Sequence, residues 1–150
     1  MCGLAGFLGY GCFQVSEITE IIKRMGSSMY HRGPDDSGFW QDDHVQIAMT
    51  HQRLSILDLT SAGHQPMISS SGQFVIIFNG EIYNHKSLRE MIEASTGKLT
   101  WKGHSDTEIL LAAFELWGVE STLQRANGMF SIALWDRKRR SLTLSRDRMG

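Results

Sequence analysis

The sequence predicts an α+β fold in which helices cover β-sheets, and three observations lead to it. Short apolar or alternating runs that read as strands lie towards both ends of the chain. Two stretches place apolar residues at three- and four-residue steps, the spacing of an amphipathic helix. Strands and helices do not alternate strictly, as a doubly wound parallel sheet would require. The 150 residues fit one domain or a piece of a larger one, and a 41% hydrophobic content is enough to build a core. No repeat, low-complexity tract or linker divides the chain, so no internal domain boundary is expected within residues 1–150.

The elements follow in order. Gly3 to Leu8 is a mostly apolar run closed by Gly9-Tyr10-Gly11, a buried strand and a turn, which puts Cys2 at a strand start. Ile18, Ile21, Ile22, Met25 and Met29 then mark a helix, with Ser16 as its N-cap. HRGPDDSG is a turn-forming cluster; strands are expected at 45–49, 53–57 and 73–78, the last ended by a turn at Asn79-Gly80. Asn84 is placed to cap a helix running to about Ala94. Ser105-Asp106-Thr107-Glu108 has the form of a capping box ahead of Ile109, Leu110, Ala113, Phe114 and Trp117, a second clear helix. Strands at 129–135 and 142–145 close the pattern. The basic run at 137–140 between them has two readings, a nucleic-acid patch or a solvated turn, and the turn is preferred.

Composition and missing motifs exclude several function classes. A formal net charge of −1 gives no electrostatic footprint for nucleic acid or for an anionic membrane. The first residues carry neither a basic leader nor a sustained apolar stretch, so a cytoplasmic protein is expected. The two cysteines, Cys2 and Cys12, match no zinc spacing and read as thiols. The six histidines form no HExxH or comparable ligand cluster, and neither a GxxxxGK[ST] loop nor a GxGxxG turn nor a GxSxG elbow is present. No metal and no cofactor are expected in this segment.

What remains is a set of polar residues, each with a bland and a chemical reading. Cys2 is either a small hydrophobe or, once Met1 is removed, a nucleophile carrying its own base. An α-amine has a pKa of about 7.7–8.0 against about 8.5 for a thiol, so the neutral amine can take the thiol proton near neutral pH. Gly3 leaves room for a substrate to approach. Asn79 and Gly80 are an ordinary turn, or an amide and a backbone N–H aimed at a developing oxyanion. Their neighbour Glu81 either lines a site or is simply exposed. Arg53 is a strand-end arginine snorkelling to the surface, or a guanidinium that holds a carboxylate in a bidentate pair. Asp106 is a helix-start residue or a partner for an α-ammonium. Arg32 and Asp35, beside Pro34, either form an internal ion pair or face the site.

The ordered set MCGLAGF, HRGPDDSG, RLSILDL, FNGEIYN, SDTE, NGMFSIALWD and LSRDRMG covers the chain from end to end. It resembles the glutaminase domain of class II glutamine amidotransferases, which are N-terminal nucleophile hydrolases, and its HRGPDDSG form is similar to that of the asparagine synthetase (glutamine-hydrolysing) family. The resemblance implies a four-layer αββα sandwich of two mainly antiparallel sheets. It implies Cys2 as nucleophile, with Asn79 and Gly80 as the oxyanion hole. Arg53 would hold the glutamine α-carboxylate, the backbone of Leu54, Ser55, Ile56 and Leu57 would line the pocket, and Glu81 and Asp106 would hold the α-amino end. Glutamine would be hydrolysed through a γ-glutamyl thioester to glutamate and ammonia. The ammonia would pass to a synthetase domain that uses ATP and Mg2+ to activate aspartate.

In the family the domain continues past LSRDRMG, so the sequence reads as incomplete at its C-terminal end, with the synthetase domain expected beyond residue 150. The expected partners are glutamine, that synthetase domain and, for a homodimer, a second copy of the chain. Three other readings compete: an acceptor other than aspartate, such as a surface-polysaccharide sugar; a catalytically silent scaffold; and an N-terminal hydrolase of another amide. The paired Arg53 and Asp106 weigh against the last of these.

Overall fold

The computed structural model describes residues 2–9, 14–42, 44–55 and 60–149. The elements run β1 (Gly3–Leu8), α1 (Val15–Ser28), β2 (Asp36–Asp42), β3 (Ile47–Arg53), β4 (Met67–Ile68), β5 (Phe74–Ile82), α2 (His85–Thr96), α3 (Asp106–Trp117), α4 (Val119–Arg125), β6 (Gly128–Asp136) and β7 (Ser141–Arg146). Two antiparallel sheets result, ordered β1-β3-β2 and β4-β5-β6-β7.

Three separate apolar clusters make four layers of these elements. Ile18 and Ile22 of α1 pack with Ala48 on the outer face of the first sheet, with Phe7 and Met25 beside them. Ile47 and Met49 from one sheet meet Val75, Ile77, Ala133 and Trp135 from the other. Phe74, Ile76 and Phe78 turn to the opposite face of β5 and pack on Leu110 and Phe114 of α3 and on Leu88 and Ile92 of α2. The period-2 alternation of β3 and β5 thus feeds two clusters from each strand, which is why both are nearly continuously apolar at their starts. Each fully buried isoleucine contributes about 1.5–3 kcal/mol relative to exposure. The four-layer αββα arrangement expected from the resemblance is the one found.

Several local expectations are corrected. α1 starts at Val15, not behind Ser16, because the Gln14 N–H is held by the Glu17 carboxylate at 2.6 Å. In place of a strand at 45–49 and a second one starting at 53, a single strand runs Ile47–Arg53, and it ends where the registers with both neighbours run out (Gly3↔Gln52 and Asp36↔Arg53). Of the remainder of the 53–57 stretch, Leu54 and Ser55 lie outside the sheet, and Ile56 and Leu57 are outside the described residues. β2 forms from the turn-like residues Asp36-Ser37-Gly38 because β3 supplies a partner for each of them. Asn79-Gly80 is not a turn: β5 runs on to Ile82, paired with β6 at all nine positions.

Asn84 stands at the start of α2, but its side chain binds the Arg125 carbonyl (2.9 Å) and the Asn127 N–H (2.8 Å), tying that helix to the α4–β6 connection instead of capping it. Half of the capping box at α3 forms. The Ser105 hydroxyl accepts from Thr107 N–H, while Glu108 turns back to the N–H groups of Lys102 and Gly103. α4 was not expected from the sequence, whereas the basic 137–140 run is the turn between β6 and β7.

Candidate active site

The first sheet ends at the site with Cys2 and Arg53. Cys2 directly precedes β1, half-buried and free of any disulfide. Its Sγ lies 3.3 Å from the Leu54 N–H and 3.6 Å from the Leu54 carbonyl, so one residue can receive the thiol proton's hydrogen bond or donate one to the sulfur. Arg32 and Asp35 do not pair with each other. Arg32 Nε donates to the Cys2 carbonyl (3.2 Å), and the Asp35 carboxylate accepts from Ser55 N–H (2.8 Å). Neither reading holds as stated: the two do not pair and neither lines the cavity that Cys2 borders, but Arg32 holds the main chain of Cys2 and Asp35 that of Ser55. Arg53 is buried, and its Nη1 donates to the Thr60 carbonyl (2.9 Å). Gly63 lies against its tip: a Cβ there would stand 2.1 Å from Nη2.

The second sheet brings Asn79, Gly80 and Glu81. Strand alternation puts Asn79 and Glu81 on the inter-sheet face with Val75 and Ile77, towards Cys2. Gly80 is opposite Phe130 in register, yet Phe130 exchanges its hydrogen bonds with Asp147 on its other side: Asp147 N–H donates to its carbonyl and the Asp147 carboxylate accepts from its N–H, both at 2.9 Å. The Gly80·Phe130 pair is therefore a non-hydrogen-bonded one, and the Gly80 N–H points away from β6. No side chain fits at position 80, where a Cβ would meet the Met129 carbonyl at 2.1 Å.

Asp106 opens α3 with its carboxylate accepting from Ile82 N–H at 2.9 Å. Burial pushes its pKa up, opposed by the hydrogen bonds from Ile82 and Thr107 N–H groups and by His85. Burial thus disfavours the charged form of this carboxylate.

These residues border one cavity, lined by Cys2, Arg53, Leu54, Asn79, Gly80, Glu81 and Asp106 together with Gly63, Gln65, Phe78, Ser105, Thr107 and Met129. A thiol, a main-chain donor, two side-chain amides, a guanidinium and two carboxylates thus border the same space. A guanidinium and carboxylates bordering one cavity suit a zwitterionic amino acid, with the thiol bordering the same space. Ser55 is not among the lining residues. Gln65 and Gly63 had no motif to single them out, whereas Thr107 lies in the SDTE stretch but reads there only as part of a capping box. His51 had one: it is two residues before Arg53 on the same face of β3. Among the described residues no cluster of His, Cys, Asp and Glu is arranged to hold a metal ion, and no helix is long and apolar enough to cross a membrane.

Comparison with known proteins bears on the family of the chain. Asparagine synthetase [glutamine-hydrolyzing] 2 of Bacillus subtilis is 40% identical over 151 residues, covering 100% of this chain and 19% of that protein. Asparagine synthetase [glutamine-hydrolyzing] 1 of the same organism is 38% identical, with 100% and 23% covered. Amidase chry2 of Gibberella zeae is 30% identical over 158 residues, with 100% and 23% covered. The chain thus spans about a fifth to a quarter of the length of these relatives. In fold it is similar to a solved glutamine phosphoribosylpyrophosphate amidotransferase from B. subtilis, with a TM-score of 0.67 at 17% identity over 94% of this chain and 37% of that one. The glutamine amidotransferase domain family matches residues 1–150, and the chain belongs to that family.

Proposed function

We propose that this domain hydrolyses the side-chain amide of glutamine with Cys2 as nucleophile. The observation that carries the reading is the single cavity in which Cys2, Arg53, Asn79, Gly80 and Asp106 meet. With Met1 removed, the α-amine of Cys2 takes the thiol proton and Sγ attacks the amide carbon. The carbonyl electron pair moves onto oxygen, where the Asn79 amide and the Gly80 N–H receive it. Collapse of this intermediate, with the proton returned to nitrogen, releases ammonia and leaves a γ-glutamyl thioester. Water then attacks the thioester, giving glutamate and the free thiol. Arg53 binds the α-carboxylate, and Asp106 with Glu81 binds the α-ammonium.

By likeness to the asparagine synthetases, the ammonia passes to a synthetase domain beyond residue 150, where ATP and Mg2+ activate aspartate for amidation. A second copy of the chain in a homodimer and a cytoplasmic location belong to the same reading. The test is glutamate release from glutamine by the full-length protein, alongside mass spectrometry of its N-terminus. Cys2→Ala should abolish release and leave the fold intact; a processed wild-type protein that releases no glutamate defeats the reading. Asparagine formed from aspartate, ATP and glutamine identifies the acceptor, and its absence in a glutamate-releasing protein removes aspartate.

A further inference from the structure

β5 is flanked unequally. β6 accompanies it from Phe74 to Ile82, but on the other side β4 pairs only with Val75 and Ile76. Past Ile76 every second residue of β5 turns its main-chain groups to an edge that carries no strand among the described residues. Phe78, Gly80 and Ile82 are those residues.

Three side chains stand where the strand is missing. The Phe78 N–H donates to Gln65 Oε1 at 2.6 Å, the Phe78 carbonyl accepts from His51 Nε2 at 3.0 Å, and the Ile82 N–H donates to Asp106 at 2.9 Å. Gly80, between them, is left with its N–H directed at the cavity. The register explains Gln65: Met67 opposes Ile76, so continuing the ladder by one pair of residues would set position 65 against Phe78. There a side-chain oxygen takes the role of a strand carbonyl.

Both groups are fixed. Gln65 is buried, and its Nε2 donates to Thr107 Oγ1 at 3.4 Å, which orients the amide with its oxygen on Phe78. His51 is fully buried. A carbonyl can only accept, so Nε2 carries the proton and Nδ1 is a bare lone pair, in keeping with its having no hydrogen-bond partner. Burial lowers the His51 pKa to about 4, so the ring stays neutral and the donor stays in place across the working pH range.

We propose that Gln65 and His51 are positioning residues for the oxyanion hole: they clamp both main-chain groups of Phe78, and so hold the next two residues, Asn79 and Gly80, on the developing charge. The proposal rests on the glutaminase reading above. Preorganised donors are effective because they need no rearrangement as charge appears, and loss of one whole donor costs about 10²–10³ in kcat. A loosened pair costs less, about tenfold.

The experiment uses full-length, processed protein. Gln65→Met and His51→Leu remove the clamp; Gln65→Glu and His51→Gln keep an acceptor for Phe78 N–H and a donor for its carbonyl. The first two are expected to lower kcat for glutamate release about tenfold while KM for glutamine stays within about twofold, and the second two to restore kcat. The γ-aldehyde analogue of glutamate supplies an independent reading. Cys2 Sγ bonds to its carbonyl carbon, and the displaced electron pair places an oxyanion in the same hole. Its inhibition constant should rise in step with the fall in kcat.

Unchanged kcat and unchanged aldehyde inhibition in folded Gln65→Met and His51→Leu would overturn the proposal, as would conservative variants that fold but recover neither. If an apolar variant does not fold, its conservative counterpart decides. A wild-type protein that neither releases glutamate nor is inhibited by the aldehyde is a different result: it defeats the glutaminase reading, and the clamp with it.

Discussion

The two central strands β3 and β5 begin alike and serve the site differently. Each starts apolar, with Ile47-Ala48-Met49 in one and residues 74–78 in the other, and each turns polar as it nears the cavity, with Thr50-His51-Gln52-Arg53 and Asn79-Gly80-Glu81. β3 has a strand on both sides along its length, so its main chain is consumed by the ladders and it can offer the cavity only side chains. Its first free main-chain donor is Leu54 N–H, one residue past the sheet, and that donor goes to Cys2 Sγ. β5 loses a neighbour after Ile76, and its Gly80 N–H becomes available. The number of neighbours a strand has thus decides whether it can add a main-chain donor to its side chains. A main-chain donor is the stiffer of the two, which suits charge stabilisation, whereas a guanidinium suits binding.

Substitutions on the two strands should therefore separate binding from chemistry. The largest effect is expected at the β3 side chain. Arg53→Ala should cost about 2–5 kcal/mol in kcat/KM for glutamine, most of it in KM, because the substrate carboxylate is left without its charge-assisted partner. A negligible change would mean that the substrate has no α-carboxylate at this position.

Gly63→Ala is a milder test of the same contact. The added Cβ would stand 2.1 Å from Arg53 Nη2, and the tip of a flexible side chain can move where main chain cannot. We expect KM for glutamine to rise about tenfold, equivalent to losing part of a charged hydrogen bond, with thermal stability barely altered. A large fall in melting temperature with an unchanged KM would show that Gly63 serves the fold and not the guanidinium.

The smallest effect concerns pH and stability at Asp106. Because burial raises its folded pKa above the unfolded value, the folded state holds the proton longer as pH rises. Asp106 therefore destabilises the fold once pH has passed through the window between the two values, and costs nothing below it. Asp106→Asn should raise the melting temperature at neutral pH, with the gain fading as pH falls through that window. The same variant should bind glutamine poorly for want of a charge opposite the α-ammonium. Melting curves against pH check the first part; a lower melting temperature at neutral pH would show that burial is not the dominant influence on this carboxylate.

Much of this was legible in the sequence where the signal was local. β1 begins and ends where the apolar run does, the faces of α1 and α3 follow their three- and four-residue spacing, and Cys2, Arg53, Asn79, Gly80 and Asp106 were identifiable from motifs. The failures share one cause. Asp36-Ser37-Gly38 looks like a turn and is a strand, Asn79-Gly80 looks like a turn and is mid-strand, and Asn84 looks like a cap and bridges to Arg125 and Asn127. In each, a partner distant in sequence outweighs a local preference.

By itself, then, the sequence determined the α+β class and the chemical groups, since periodicity and side-chain chemistry belong to each segment alone, while the four layers came from the resemblance. Only the tertiary structure decided which edge of β5 lies open, which N–H faces the cavity, and that Gln65 and His51 stand in for the absent strand. Strand pairing is settled between residues far apart in the chain, and an open edge exists only once the other strands have taken their places.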